Sequence, residues 1–117
     1  MTEVNQNFTM YAGDSKVLLY TIKGDSGETL DVTTLTSAQF VIKQYPDSSV
    51  KLLDKDFPDS GVGISNGPEG IISVSLVPAD TKDLNPGEYY HELRIVLFGS
   101  TSTVAIGVLK IKPTTEI

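Results

Sequence analysis

Between Glu88 and Phe98 the chain alternates without a break: Tyr89, His91, Leu93, Ile95 and Leu97 occupy one set of positions, and Tyr90, Glu92, Arg94, Val96 and Phe98 the other. Nothing else in the sequence constrains the fold as strongly, because a side-chain period of two belongs to an extended strand. The charged Glu92 and Arg94 mark the even set as outward, so the odd set is expected inside. The same period recurs in shorter runs. From Lys16 to Lys23 it places Leu18, Tyr20 and Ile22 inward and Val17, Leu19 and Thr21 outward. In Ser37 to Tyr45, Ala38, Phe40 and Ile42 oppose Gln39, Val41 and Lys43, and in Ile71 to Val77, Ile72, Val74 and Leu76 oppose Ser73 and Ser75. The last run, Thr103 to Lys112, changes phase: Val104 and Ile106 share one face, Leu109 and Ile111 the other. A bulge near Gly107 would let all four point inward. The predicted core is therefore Leu18, Tyr20, Ile22, Phe40, Ile42, Ile72, Val74, Leu76, Tyr89, Leu93, Ile95, Leu109 and Ile111.

Turn chemistry separates these runs. Gly24-Asp25-Ser26-Gly27-Glu28, Pro46-Asp47-Ser48-Ser49, Asn66-Gly67-Pro68-Glu69-Gly70 and Gly99-Ser100-Thr101-Ser102 supply residues that tolerate positive φ or bond back to nearby backbone. Val50 to Phe57 reads as a weak strand, its Lys51, Asp54, Lys55 and Asp56 suited to a sheet edge that must resist unwanted pairing. Val62-Gly63-Ile64 is a further short segment. Pro78 to Leu84 begins with proline and an early acid, which fits a single helical turn ended by Pro86-Gly87. About seven to eight short strands with no helical period predict an all-β, antiparallel sandwich or barrel.

The whole chain of 117 residues fits one domain, with loose ends expected near 1–6 and 114–117. It contains no cysteine, which excludes disulfides, thiolate metal sites and thiol nucleophiles. The net charge of −6 opposes binding to a phosphate backbone, so nucleic acid is not an expected partner. Apolar runs are too short to span a bilayer as a helix, and no membrane partner is expected. The N-terminus lacks the basic and apolar regions of a secretion signal, so synthesis in the cytoplasm is expected unless a larger assembly carries the chain out.

Groups that could carry chemistry are few. His91 lies mid-strand on the apolar face, without a second histidine or a cysteine, and reads as a core residue. Asp54 with Asp56, and Asp80 with Asp83, are pairs that could in principle act as acid and base. The first alternates with lysine and the second suits a capped turn, so both read as structural. Asp14, Asp25, Glu28 and Asp31 gather near turns but match no calcium-loop pattern. Gly61 to Gly67 lacks the lysine and helix of a phosphate loop and reads as hairpin glycines. No catalytic, metal or cofactor site is expected. What remains is an outward set, Tyr90, Val96 and Phe98, the candidate interface; Val17, Leu19 and Val41 add to the apolar character of the outward faces.

From Phe8-Thr9-Met10 to Lys112-Pro113 a wider pattern is recognisable: Phe8-x-Met10-x-x-Gly13-Asp14, then Ile22-x-x-Asp25-x-Gly27-x-x-Leu30-Asp31-Val32, then Ala38-x-Phe40-x-Ile42. It closes with Leu84-x-Pro86-Gly87-x-Tyr89-x-x-Glu92-Leu93-x-Ile95 and Gly107-x-Leu109-x-Ile111. It resembles the small immunoglobulin-like β-sandwich domains encoded among the structural genes of tailed bacteriophages and prophages, including N-terminal domains of upper baseplate proteins. The resemblance implies an immunoglobulin-like sandwich in a virion: a tail, baseplate, neck or head-decorating part that assembles with other virion proteins or with copies of itself as a homo-oligomer. It carries no catalytic motif, and the further domains of baseplate proteins have no counterpart here. The alternative expectation is a carbohydrate- or protein-binding immunoglobulin-like module of a bacterial surface, with Tyr45 and Phe57 as stacking platforms.

Overall fold

A computed structural model describes residues 4–5, 7–24, 26–57 and 61–112. The parts of the expected loose ends at 1–3, 6 and 114–117 lie outside the described residues. Strands β1 (Val4–Asn5), β2 (Phe8–Tyr11), β3 (Lys16–Thr21), β4 (Ser37–Lys43), β5 (Leu53–Phe57), β6 (Val62–Asn66) and β7 (Ile71–Leu76) precede one helical turn, α1 (Pro78–Thr81). The long pair β8 (Gly87–Leu97) and β9 (Ser100–Lys112) follows. The fold is all-β in two sheets. One runs β1-β9-β8-β4-β5, with β2 also beside β9, and the other runs β3-β7-β6.

The sheets enclose one core because each strand with alternation turns its apolar set toward the other sheet. Leu18 and Tyr20 of β3, Ile72, Val74 and Leu76 of β7, Phe40 and Ile42 of β4, and Tyr89, Leu93, Ile95 and Leu97 of β8 are all buried in a single cluster. Leu109 and Ile111 of β9 join them, as do Ile22, Val32 and Leu35 from the connection between β3 and β4. That connection is fixed by backbone bonds: the Ile22 amide donates to the Gly70 carbonyl at 2.8 Å and the Val32 amide to the Gly67 carbonyl at 2.8 Å. Gly70 has φ +74°, and a Cβ there would strike the Leu30 carbonyl oxygen, so the turn before β7 requires glycine for both reasons.

Three features differ from the sequence-based expectation. The phase change in β9 lies at Val104, not Gly107: Leu93 pairs with Ala105 and Arg94 with Thr103, leaving Val104 as the extra residue. Val104 and Ala105 are both buried, the phase then holds through Gly107, Leu109 and Ile111, and Ile106 falls half-exposed on the outer side. Gly107 instead pairs with His91 and supplies no side chain beside the imidazole. The sheets are also not wholly antiparallel. β1 and β2 both run parallel to β9, with Val4 opposite Ala105 and Tyr11 opposite Lys112, and so they extend the large sheet beyond β9. Between the two short strands the Asn7 side chain replaces backbone, its Oδ1 accepting from the Val108 amide at 2.8 Å. Finally, Lys55 of β5 points inward. Its ammonium meets Asp80 of α1 at 2.9 Å, while Asp80 Oδ2 also accepts from the Val77 amide at 2.7 Å and so starts the helical turn.

Candidate interaction surface

The outer face of the large sheet is built from the residues that alternate with the core: Gln39, Val41 and Lys43 of β4, Tyr90, Glu92, Arg94 and Val96 of β8, and Thr103, Ile106 and Val108 of β9. Its centre is polar. Glu92 lies 3.7 Å from Arg94 and accepts from the Thr103 hydroxyl at 3.5 Å, while Gln39 donates to Asp54 at 3.1 Å and Lys51 pairs with Asp54 at 3.6 Å. These long side chains enclose Val41, which keeps only 5% of its surface although it points outward. The expected apolar expanse across this face is therefore interrupted, and Val41 is not part of an exposed patch.

Apolar surface survives at the two ends of the sheet. At one end Tyr90 pairs across the ladder with Val108. With Tyr45 and Pro46 from the loop after β4 they line a cleft of about 200 Å³, bordered by Gln44, Glu88 and Tyr89. At the other end Val96 lies with Ala38, Phe57 and Thr101 around a larger hollow of about 310 Å³. Tyr90, Val96 and Phe98 thus belong to separate places. β8 ends at Leu97, and Phe98 sits in the hairpin turn with φ +54° and 75% of its surface exposed. On the small sheet Val17 and Leu19 are exposed beside Ser75 and Ser73 of β7. Tyr45 was visible in the sequence as a loop aromatic. Val108 was not, because its side depends on where the β9 bulge falls.

Among the groups with chemical potential, His91, Asp54, Asp80, Asp31 and Glu28 are engaged in structure. His91 is buried, its ring 5.0 Å from that of Phe8 and 5.9 Å from that of Phe40, and its Nδ1 lies 3.4 Å from the Tyr20 hydroxyl. Burial pushes the Tyr20 phenol above its ordinary range, which keeps it neutral. Asp54 faces Gln39 and Lys51, and Asp80 faces Lys55 and the Val77 amide. Asp31 accepts from the Thr33 amide at 2.8 Å, and the hydrogen bonds from Thr33 hold its carboxyl below the ordinary range. Glu28 accepts from the Ser26 amide at 3.1 Å, while Asp25 lies outside the described residues. Among the described residues no three histidines or carboxylates gather where they could hold a metal ion. Gly63 lies within strand β6, whose turn leads into another strand. No family model matches the chain, and no curated protein matches it.

Proposed function

We propose that this chain is an immunoglobulin-like domain without enzymatic activity that serves as a structural part of a tailed-phage or prophage virion, acting through protein–protein contact. Two features support the immunoglobulin-like reading. The sheet β3-β7-β6 against β9-β8-β4-β5 reproduces the grouping of such sandwiches, in which the second, fifth and fourth strands oppose the third, sixth and seventh. The Tyr89 hydroxyl also donates at 2.6 Å to the carbonyl oxygen of Asn85, four residues back and just before β8, a contact like that of a tyrosine corner.

The observation that carries the assembly reading is Phe98, an aromatic side chain three-quarters exposed on a backbone conformation that aromatics avoid. The apolar cleft at the opposite end of the sheet and the resemblance set out above agree with it. Mass spectrometry of purified particles from phage-producing cells tests the proposal: the chain should be present in many copies, and its absence from particles would overturn the virion role. A second reading, a surface module that binds carbohydrate, draws on Tyr45, which is 64% exposed beside the cleft. Sugar binding on a glycan array by a protein that stays monomeric would favour it over assembly.

A further inference from the structure

The hairpin between β8 and β9 carries an anomaly that the fold does not require. Its two turn residues, Phe98 and Gly99, have φ of +54° and +76°, and with Leu97 paired to Ser100 they form a two-residue loop. Positive φ at both positions is the type I′ pattern, which asparagine–glycine adopts with least strain. A bulky aromatic residue there is an outlier, and an outlier held in place by an ordered hairpin points toward a use. The ring lies mostly in solvent. From Ile95 to Leu109 the chain contains no charged residue. The tip can therefore approach a second copy of a molecule with net charge −6 without bringing like charges together at the contact.

At the far end of the same strand pair lies the cleft of about 200 Å³ between Tyr45, Pro46, Tyr90 and Val108. The cleft is open to solvent on one side, and its volume exceeds the roughly 150 Å³ of a buried cavity that takes up benzene, so a phenyl ring can lie in it against Tyr45, Pro46, Tyr90 and Val108. Tyr90 and Leu97 are seven positions apart on β8, roughly 23 Å at ~3.3 Å per residue, which places the cleft beyond reach of the molecule's own Phe98.

We propose that Phe98 of one copy seats in the Tyr45–Pro46–Tyr90–Val108 cleft of the next. The inference rests on the assembly reading above and specifies the partner as a second copy of this chain. Knob and cleft are different surfaces, so the contact is head to tail and every added copy leaves one of each open, which gives rings or extended rows. An aromatic side chain offers on the order of 150–250 Å², against roughly 800 Å² per partner in a standard stable interface. One such contact is therefore weak. It becomes effective where copies are held close together, as along a particle surface, because the local concentration is then high.

Sedimentation velocity on the full chain, from roughly 10 μM to about 1 mM, spans the affinity range of such a contact. The wild type should sediment faster as concentration rises. Phe98→Asn, which keeps the turn, and Val108→Lys, at a position 41% exposed, should each lower self-affinity at least about tenfold, the loss expected of an interface anchor. Thermal melts establish that both variants fold. Mixed in equal amounts, they should form a 1:1 dimer that grows no further, since one supplies the cleft and the other the knob. A wild type that stays monomeric throughout overturns the proposal, as does either variant associating like the wild type. A mixture of two folded variants that yields no dimer overturns it too. Should the contact fail while the chain is still found in purified particles, the virion role stands and only the head-to-tail contact falls.

Discussion

Lys55 and Asp80 offer the sharpest test of how the edge of the large sheet is secured. Their side chains keep 11% and 12% of their surface, at 2.9 Å separation, so each has lost most of its hydration and depends on the other. At an effective dielectric of about 20 the attraction is roughly 6 kcal/mol, but desolvation of both ions offsets most of it. The tenth of the surface that remains exposed lets the long lysine swing toward water if its partner is lost. Asp80→Asn keeps an oxygen for the Val77 amide and removes only the charge, so its cost isolates the stranded ammonium: about 1–3 kcal/mol, below the full buried-pair figure. Lys55→Met leaves a carboxylate that still accepts from Val77 and should cost less. The double variant removes both charges and should recover at least half of the Asp80→Asn loss. Urea unfolding of the four proteins gives the coupling energy directly. Because the pair is shielded, that coupling should change little between low and high salt. If Asp80→Asn costs the same whether position 55 is lysine or methionine, the pair contributes no coupling and β5 is held by its ladder with β4 and by packing.

Three further outcomes follow from the core and its turns. Leu93→Ala, at a fully buried site, should cost ~2–5 kcal/mol through lost burial and a cavity, lowering the calorimetric midpoint by roughly 8–20 °C in a domain of this size. Gly70→Ala meets both a positive φ and the Leu30 carbonyl; more than about 1 kcal/mol of stability should be lost in chemical denaturation, whereas a neutral result would mean the turn can relax. Tyr89→Phe deletes the donor to Asn85 and should cost about 1 kcal/mol by the same measurement, with no change in burial of the ring.

Alternation made most of the core legible, since a strand buried on one face repeats its apolar residues at every second position and nothing else in this chain imitates that. What escaped depended on contacts distant in sequence. The bulge at Val104 sits within Val104-Ala105-Ile106, where any of three small or aliphatic residues could be the extra one, and the choice is made by the facing residues Leu93 and Arg94. Phe8–Tyr11 is too short to show a period, and only its pairing with β9 makes it a strand. Lys55 occupies an inward position that its charge argues against, until the helical turn 25 residues later brings Asp80 to it. On the outer face, Tyr90, Val96 and Phe98 share a parity in the sequence, but the hairpin turn lifts Phe98 out of the strand and Glu92 and Arg94 divide the other two. The cleft was illegible for a related reason: Val108 joins Tyr90 only through the cross-strand register.

The parallel ladder of β1 and β2 on β9 also fixes how the domain meets a mechanical load. Tension applied through the two ends of the chain pulls β1 and β2 back along their length while it pulls β9 forward, so the two sides are driven past each other. Six residue pairs, from Val4 with Ala105 to Tyr11 with Lys112, then share the load at once. An antiparallel hairpin pulled apart at its open end surrenders its bonds one by one, at low force. Single-molecule stretching should therefore register one high-force rupture for the whole domain, and Asn7→Ala, which removes the bond from the Val108 amide of β9 to the segment between β1 and β2, should lower that force. A domain held this way can be strained along its length before its core is disturbed.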